Sequence, residues 1–288
     1  MIPRTSLGPA GLYLHIPFCG KKCAYCDFAS FPGLGSLYAP YVRALRVEAE
    51  ASRETWRDVE FATAYVGGGT PTALPADLLA EVLRIPRDLY RLPEDAEVSV
   101  EANPGTVDRA ALGALRSAGA NRLSLGVQSL DDRELALLGR LHSAEEAVAS
   151  YHLARRVGFA NINLDLMFGL PRQRLAAWRA TLVRALDLRP EHLSLYALTV
   201  EEETPLAGSI ACGDLPAPDE DLAADMYDLA AGLLAEAGYA QYEISNWARR
   251  TPEDDPAPTA WPRLACRHNV IYWRNGLYLG LGAAAYSY

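Results

Sequence analysis

The amino-acid sequence predicts an α/β fold, a partial (β/α)6 barrel of the TIM type followed by a smaller α/β extension. Short apolar segments alternate with longer amphipathic ones about six times, and half of the 288 residues are apolar. Strand and helix in regular alternation give parallel strands joined by crossover helices. Polar residues recur where successive apolar segments end, and the carboxyl ends of the strands are where such a barrel places its functional site.

The strands and helices follow from the spacing of apolar residues. Leu175, Trp178, Leu182 and Leu186 recur at three- and four-residue intervals, as one buried helical face requires. Runs of five to seven mainly apolar residues predict the strands. The predicted strands are Leu12–Ile16, Phe61–Val66, Ala96–Glu101, Arg122–Val127, Asn161–Met167 and His192–Ala197. The predicted helices are Tyr41–Glu54, Ala76–Leu83, Val107–Ala118, Ala144–Val157 and Ala176–Leu188. Chain order alone also permits an open, doubly wound sheet.

The pattern changes after Pro205, where we place a boundary between a core barrel, residues 1–205, and an extension, residues 206–288. The extension is predicted to contain a helix over Asp219–Glu236, a strand over Tyr239–Ile244 and an exposed, proline-rich loop over Arg249–Pro262. The apolar run Gly276–Tyr288 ends without a closing helix. We therefore expect the chain to be truncated.

Composition and charge exclude several classes of protein. The formal net charge is −9 and no block rich in lysine or arginine occurs, which argues against a general nucleic-acid or anionic-membrane binder. Residues 1–10 lack the apolar region of a signal peptide. No segment approaches the roughly 18 apolar residues of a membrane span. The expectation is a cytoplasmic protein without a transmembrane segment.

Three of the five cysteines, Cys19, Cys23 and Cys26, lie within eight positions in a C-x3-C-x2-C arrangement. In a reducing compartment such clustering indicates metal ligation rather than disulfides. Three thiolates can bind three irons of a cubane cluster and leave the fourth iron open to a small molecule. The alternative is a structural zinc site, with His15 as the fourth ligand.

The cysteine motif, with Tyr25 before its last cysteine, resembles that of the radical S-adenosylmethionine (SAM) superfamily. The longer string from Tyr13 to Cys19 is similar to the oxygen-independent coproporphyrinogen III oxidase-like branch, which contains the HemN and HemW types. This resemblance extends from Leu12 to the end of the chain. It implies a [4Fe–4S] cluster on the three cysteines. It also implies SAM bound through its amino and carboxylate groups to the open iron, for cleavage to a 5′-deoxyadenosyl radical.

A glycine-rich segment, Gly67–Thr72, follows the second predicted strand. Three glycines let the backbone approach a ligand closely and offer N–H groups to a carboxylate. A phosphate-binding loop would require the missing Gly-Lys-Ser/Thr, and a tight strand-to-helix turn is the structural alternative. By resemblance, Gly68, Gly69 and Thr70 contact the aminocarboxylate of SAM.

Polar side chains end successive predicted strands: Glu101 the third and Gln128 the fourth, while Asp165 lies in the fifth. Each could be an ordinary surface or capping residue, but their repeated placement is typical of the active face of a barrel. The resemblance implies further neighbours of SAM. These are Arg140, which could instead be a solvated arginine on a helix, and the aromatic residues Tyr13 and Tyr25.

Two departures separate this chain from the HemN-type oxidases. Those proteins carry a further cysteine two positions after the third cluster ligand, where this chain has Phe28. They also carry a long segment before the first strand, where this chain has about a dozen residues. Both departures argue against coproporphyrinogen decarboxylation, and no catalytic residue is assigned.

The segment Cys266–Trp273 resembles the HNxxYW segment of HemW-type proteins, which bind haem and deliver it to respiratory haemoproteins. A neutral imidazole is a good ligand for haem iron, so the resemblance makes His268 the candidate haem ligand. The alternative is a histidine packed among aromatic residues at a strand edge. Cys266 is a second possible ligand or a buried free thiol, and Cys212 has no assigned role. HemW-type chains continue into a further C-terminal domain.

The leading hypothesis is thus a haem chaperone on a radical SAM scaffold, with haem-accepting respiratory proteins and an electron donor as partners and with peripheral membrane contact possible. The second hypothesis is an oxygen-independent coproporphyrinogen III oxidase. The third is a zinc-stabilised barrel with an unrelated substrate.

Overall fold

The computed structural model describes residues 8–255, 257 and 260–288. The prediction about a signal peptide concerns residues 1–10 and lies mostly outside this range. Part of the predicted loop Arg249–Pro262 also lies outside it. Across the described ranges, no helix combines the length and the apolar character needed to cross a bilayer.

One nine-stranded sheet forms the centre of the described structure. Its strands run in the order β9-β1-β2-β3-β4-β5-β6-β8-β7. The strands are β1 (Ala10–Ile16), β2 (Phe61–Gly68), β3 (Glu97–Ala102), β4 (Arg122–Gln128), β5 (Asn161–Phe168), β6 (His192–Ala197), β7 (Tyr239–Gln241), β8 (Asn246–Arg249) and β9 (Tyr278–Leu281). Strands β1 to β6 are parallel and adjacent in chain order. All six predicted strands and their parallel arrangement are confirmed.

Helices connect these strands and cover the outside of the sheet. They are α1 (Tyr38–Ser52), α2 (Ala76–Tyr90), α3 (Arg109–Ser117), α4 (Asp132–Leu137), α5 (Ala144–Val157), α6 (Leu175–Asp187), α7 (Pro205–Ala211), α8 (Glu220–Glu236) and α9 (Arg267–Trp273). The five helices predicted for the barrel exist. Helix α2 continues to Tyr90, past the predicted end at Leu83, because Ile85 and Tyr90 extend its buried face. The short helices α4 and α7 were not predicted as separate elements.

The two faces of the sheet differ in polarity, and this difference creates the interior of the barrel. Along β4, Leu123, Leu125 and Val127 belong to the apolar core, while Arg122 and Ser124 alternate with them and line a cavity. Because side chains on a strand alternate between faces, the helices cover one apolar face. The other face forms a polar interior.

The residues after 205 join both edges of the same sheet. Strand β8 pairs antiparallel with β6, and β7 pairs with β8. Strand β9 pairs parallel with β1 at the opposite edge. Trp247 and Leu279 belong to the same apolar core as Leu12. The boundary proposed at residue 205 therefore marks a change of topology within one sheet and one core.

Two predictions about the extension need correction. The predicted strand Tyr239–Ile244 is shorter, because β7 ends at Gln241. The segment Cys266–Trp273, considered a strand edge, contains helix α9. The apolar run at the end of the chain, for which no closing helix was predicted, includes β9, which hydrogen-bonds to β1.

Candidate cofactor site

A cavity of about 440 Å³ lies at the carboxyl ends of the parallel strands. This is the place the barrel prediction requires, and the volume suits a cofactor-sized ligand. The cavity brings together eleven of the thirteen residues singled out from the sequence. They are Cys19, Cys23, Tyr25, Cys26, Gly68, Gly69, Thr70, Glu101, Gln128, Arg140 and Asp165.

The three cysteines lie on the loop that follows β1. Cys19 ends a two-residue strand, Phe18–Cys19, that pairs with Phe31–Pro32, and it is buried. Cys23 and Cys26 are half-buried and joined by a turn, in which the Cys26 N–H donates to the Cys23 carbonyl at 3.3 Å. All three thiols are free of disulfides. The loop therefore presents three free sulfur donors to one cavity.

The neighbours of these thiols suit cluster binding. The Arg140 guanidinium donates to Cys23 Sγ at 3.4 Å. Thr70 Oγ1 lies 3.5 Å from Cys19 Sγ. Burial raises the pKa of the Cys26 thiol, which the positive charge of a bound iron would offset. The donor set of three thiols in a polar cavity therefore fits a cluster with three cysteine ligands.

The zinc alternative finds less support. Among the described residues, no three His, Cys, Asp or Glu side chains converge as one metal ion requires. A cubane places each thiolate on a different iron and does not need that convergence. His15, the proposed fourth zinc ligand, has both ring nitrogens in hydrogen bonds, to Tyr13 Oη at 3.0 Å and to the Ala29 carbonyl at 2.9 Å.

The glycine segment lines the cavity, but the prediction that its N–H groups face a ligand carboxylate needs correction. The N–H of Gly68 donates to Glu101 Oε2 at 3.0 Å. The N–H groups of Gly69 and Thr70 donate to the carbonyls of Ile16 and Phe18. All three donors are thus used within the protein. The glycines are explained by the close approach of neighbouring atoms to this backbone, and not by free N–H groups.

Two half-buried carboxyl groups, Glu101 and Asp165, line the cavity, and Glu101 accepts from the glycine segment as described above. Glu101 also accepts from Tyr65 Oη at 2.9 Å, while Asp165 accepts from Ser124 Oγ at 3.0 Å and from Asn163 Nδ2 at 2.8 Å. Burial, aided by the charge of Asp165, raises the pKa of Glu101 to about 7. Burial also raises the pKa of Asp165. A cationic ligand would offset the cost of ionising both groups in this interior.

Gln128 and Arg140 lie at the rim of the cavity. Gln128 has a φ of 67° and follows a shift of register between β4 and β5, which is a bulge of the kind found beside functional sites. Arg140 follows α4 and donates to Asn103 Oδ1 at 2.6 Å and to the Gly126 carbonyl. It is therefore fixed in the site and is not a solvated helix residue.

Comparison with known proteins decides the family. The family model described as the radical SAM superfamily matches residues 13–184. The chain belongs to the radical SAM superfamily. The haem chaperone HemW of Mycobacterium tuberculosis is 40% identical over 283 residues, covering 97% of this chain and 70% of that protein. The HemW of Escherichia coli is 38% identical over 285 residues, covering 98% and 71%.

The mitochondrial "radical S-adenosyl methionine domain-containing protein 1" of Bos taurus is 40% identical over 277 residues, 96% of this chain. The chain spans 60% of that relative's length. A solved structure of coproporphyrinogen III oxidase (HemN) from Escherichia coli has a TM-score of 0.81 and 28% identity. The match covers 97% of this chain and 64% of the HemN chain. The predicted fold and the predicted HemN and HemW branch of the superfamily are confirmed.

Two of the thirteen predicted residues, one assigned to SAM and one to haem, lie outside the cofactor cavity. Tyr13 lines a neighbouring cleft of about 640 Å³, which shares Gly68, Glu101 and Phe28 with the cavity. The other residue, His268, lies in α9 and is 1% exposed.

Both ring nitrogens of His268 are engaged, Nδ1 with Thr63 Oγ1 at 2.7 Å and Nε2 with Tyr272 Oη at 2.8 Å. Burial lowers the pKa of His268 to about 3, so the ring is neutral. Haem ligation by His268 would require one of these hydrogen bonds to break and the ring to become accessible. The geometry therefore favours the packing alternative, and the ligand role stays a prediction.

Several residues of the radical SAM site were missed. Asn103 joins Thr70 Oγ1 at 2.8 Å to Arg140, and Tyr65 and Arg122 also line the cavity. The alternation of side chains along β2 and β4 could have identified Tyr65 and Arg122 as inward positions. Asn103 follows the end of β3 immediately, which is the same signal that identified Glu101.

Proposed function

We propose that this chain is a haem chaperone on a radical SAM scaffold, which binds a [4Fe–4S] cluster, SAM and haem and delivers haem to respiratory haemoproteins. The observation that carries the proposal is the 40% identity with the haem chaperone HemW along 97% of the chain. The cavity supports the cluster and SAM parts of the proposal. The relatives support the haem part.

The cluster would be held by Cys19, Cys23 and Cys26, and SAM would bind beside it. When bound, the cluster supplies an open iron and an electron for SAM. The protein contributes position and electrostatics. Arg140 donates to Cys23 Sγ. The half-buried carboxyl groups of Glu101 and Asp165 line the space in which the cationic part of SAM would lie. Gln128 and Tyr25 border the same space.

The second candidate is an oxygen-independent coproporphyrinogen III oxidase. The TM-score of 0.81 with the HemN structure favours it. Against it stands Phe28, whose side chain is 63% exposed and lines the cavity where HemN-type proteins carry a further cysteine. The haem acceptor, the electron donor, a peripheral membrane contact and a cytoplasmic location all belong to the proposal as well.

Anaerobic reconstitution tests the cluster. We expect about four irons and four sulfides per chain in the parent. The Cys23→Ser variant should lose most of this iron, whereas Cys212→Ser, which changes an exposed cysteine, should retain it. Equal iron in Cys23→Ser and the parent would contradict the cluster assignment, and zinc uptake without iron would favour the third hypothesis.

The two haem-related functions are separated with the same preparation. A chaperone should bind haem tightly and transfer it to a haem-free respiratory haemoprotein, followed by the Soret absorption of the acceptor. An oxidase should instead convert coproporphyrinogen to protoporphyrinogen when reductant and SAM are present. Formation of protoporphyrinogen at a catalytic rate would contradict the chaperone proposal.

A further inference from the structure

Arg122 lies on the floor of the cofactor cavity, deep inside the barrel. It is the first residue of β4, and it shares the inward face of that strand with Ser124 and Gly126, which also line the cavity. At roughly 3.3 Å per residue, its Cα lies about 13 Å below that of Gly126. The Gly126 carbonyl accepts from Arg140 at the cavity rim. Arg122 is therefore well below the cysteine loop.

The side chain of Arg122 is 2% exposed, yet within the described part of the chain its Nε has no hydrogen-bond partner. The residues on either side of it in the sheet are Ser99 and Asn161. Ser99 Oγ and Asn161 Oδ1 are likewise buried without a partner among the described residues. Buried polar atoms without partners are rare, and each costs about 1–3 kcal/mol. Of the three residues, Arg122 lines the cavity, so a ligand that reaches the cavity floor would meet this layer of unsatisfied groups.

Among the described residues, no carboxyl group forms a salt bridge with Arg122, and the nearby carboxyl groups are engaged with other donors. Below the floor, Glu97 accepts from the N–H groups of Arg267 and His268 and from Cys266 Sγ. Above it, Glu101 and Asp165 accept from hydroxyl, amide and backbone donors of their own. The remaining titratable groups around the layer are Tyr65, His192, Tyr242, Cys266 and His268. Burial raises the pKa of the phenols and of the thiol and lowers the pKa of both imidazoles. These five groups are therefore neutral.

We propose that Arg122, with Ser99 and Asn161, forms a subsite for the carboxylate of an organic ligand that enters the barrel beneath SAM. A guanidinium offers a carboxylate two parallel N–H donors. A hydroxyl and an amide supply further hydrogen bonds. This subsite does not depend on the proposed haem role.

The charges in the cavity make carboxylate binding at this subsite dependent on SAM. Glu101 and Asp165 lie between the rim and the floor, and their negative charges oppose a free anion. The sulfonium and ammonium groups of SAM would offset that repulsion. The carboxylate ligand should therefore bind more tightly when SAM is present, and SAM should bind more tightly when the carboxylate is present, because binding coupling is reciprocal.

Binding of ¹³C-labelled propionate, followed by NMR on the reconstituted protein without reductant, tests the subsite. Propionamide is the neutral probe of equal size. With SAM present, we expect propionate to bind at least about tenfold more tightly than propionamide, as a charge-assisted contact implies. Without SAM, the affinity for propionate should fall by about tenfold. The Arg122→Gln variant should lose this preference for propionate, while Arg43→Gln, on the exposed side of α1, should keep it.

A second variant covers the case in which Arg122→Gln fails to fold. Asn161→Asp places a carboxylate beside the guanidinium and should abolish propionate binding while the protein stays folded. If propionate and propionamide bind equally well to the parent, the layer holds only water. That result would overturn the proposal. Unchanged propionate binding in Asn161→Asp or in folded Arg122→Gln would overturn it too.

Discussion

At the scale of single residues, the glycines at the end of β2 are required because a side chain there would clash with neighbouring atoms. A Cβ on Gly69 would lie 2.5 Å from the Phe18 carbonyl oxygen, and a Cβ on Gly67 would lie 2.8 Å from the Glu101 carboxyl carbon. Gly68 has a φ of +113°, which side chains other than that of glycine rarely adopt. The backbone of β2 therefore packs directly against the cysteine loop.

This packing predicts that Gly69→Ala lowers the free energy of unfolding by about 1–3 kcal/mol, because the clash is with backbone that cannot rotate away. Gly232→Ala, within α8 and with nothing within 4 Å of the added methyl group, should raise it by up to about 1 kcal/mol. Urea unfolding of the cluster-free proteins measures both changes. Equal stability of Gly69→Ala and the parent would refute the close approach.

The raised pKa of Glu101 predicts that the stability of the protein depends on pH. Its pKa rises from 4.5 to about 7 on folding, so the folded state binds more protons than the unfolded state between these values. The free energy of unfolding should therefore fall as pH rises through this window, by at most about 1.4 kcal/mol per pH unit from this group. The slope should level off above pH 7.

The Glu101→Gln variant isolates this effect. In urea unfolding between about pH 5 and 8, the variant should lose the fall in stability that the parent shows. Glu94→Gln, an exposed change, should follow the parent at every pH. If Glu101→Gln and the parent keep parallel profiles, then Glu101 titrates normally and its carboxyl group is not in a buried, acidic environment.

At the scale of elements, α9 shows how a seven-residue helix closes the lower part of the barrel. Glu97 of β3 accepts from the N–H groups of Arg267 and His268, which are donors that a helix leaves free at its start. The His268 ring packs between Tyr65 and Tyr272, with ring centroids 5.3 and 4.8 Å away. Helix α9 is therefore held by one carboxylate and one buried imidazole.

We expect His268→Ala to lower the free energy of unfolding by about 2 kcal/mol or more, because it removes a buried ring and two hydrogen bonds. Tyr272→Phe removes one of those hydrogen bonds and should cost about 1 kcal/mol. Thermal or urea unfolding gives both values. No loss of stability in His268→Ala would contradict the packing role.

The same variants decide the ligand role of His268. In a haem titration of folded protein, unchanged Soret absorption in His268→Ala would exclude ligation. A changed Soret band in His268→Ala, but not in Tyr272→Phe, would support it.

At the scale of the whole molecule, residues 1–205 and 206–288 share one sheet. Strands β9 and β8 cover the edges of β1 and β6, and an exposed edge of unpaired backbone groups is prone to aggregation. The side chain of Trp247 in β8 is 1% exposed within the common core. The sheet is thus completed only by residues far apart in the chain.

A fragment of residues 1–205 should therefore aggregate or unfold without a sharp transition, whereas the 288-residue chain should unfold cooperatively. Near-ultraviolet circular dichroism and urea unfolding compare the two proteins. A fragment that unfolds cooperatively with the stability of the parent would instead establish residues 1–205 as an independent domain.

The sequence by itself determined the order of the elements, the parallel sheet and most of the cofactor cavity. Hydrophobic periodicity is local, and the carboxyl ends of parallel strands meet at one side of a barrel. Glu101, Gln128 and Asp165 could therefore be placed together from their positions in the sequence. The cysteine spacing likewise identified Cys19, Cys23 and Cys26, which line the same cavity.

Only the tertiary structure decided what lies opposite these residues. Helix α9 is too short to show a periodic pattern, and its position depends on Glu97, about 170 residues earlier in the chain. The burial of His268, and the lack of partners among the described residues for buried atoms of the Arg122 layer, depend on contacts between elements distant in sequence. Periodicity says which face of an element is buried, whereas the partner of each buried polar atom is set by the register of neighbouring strands and by what packs across the barrel.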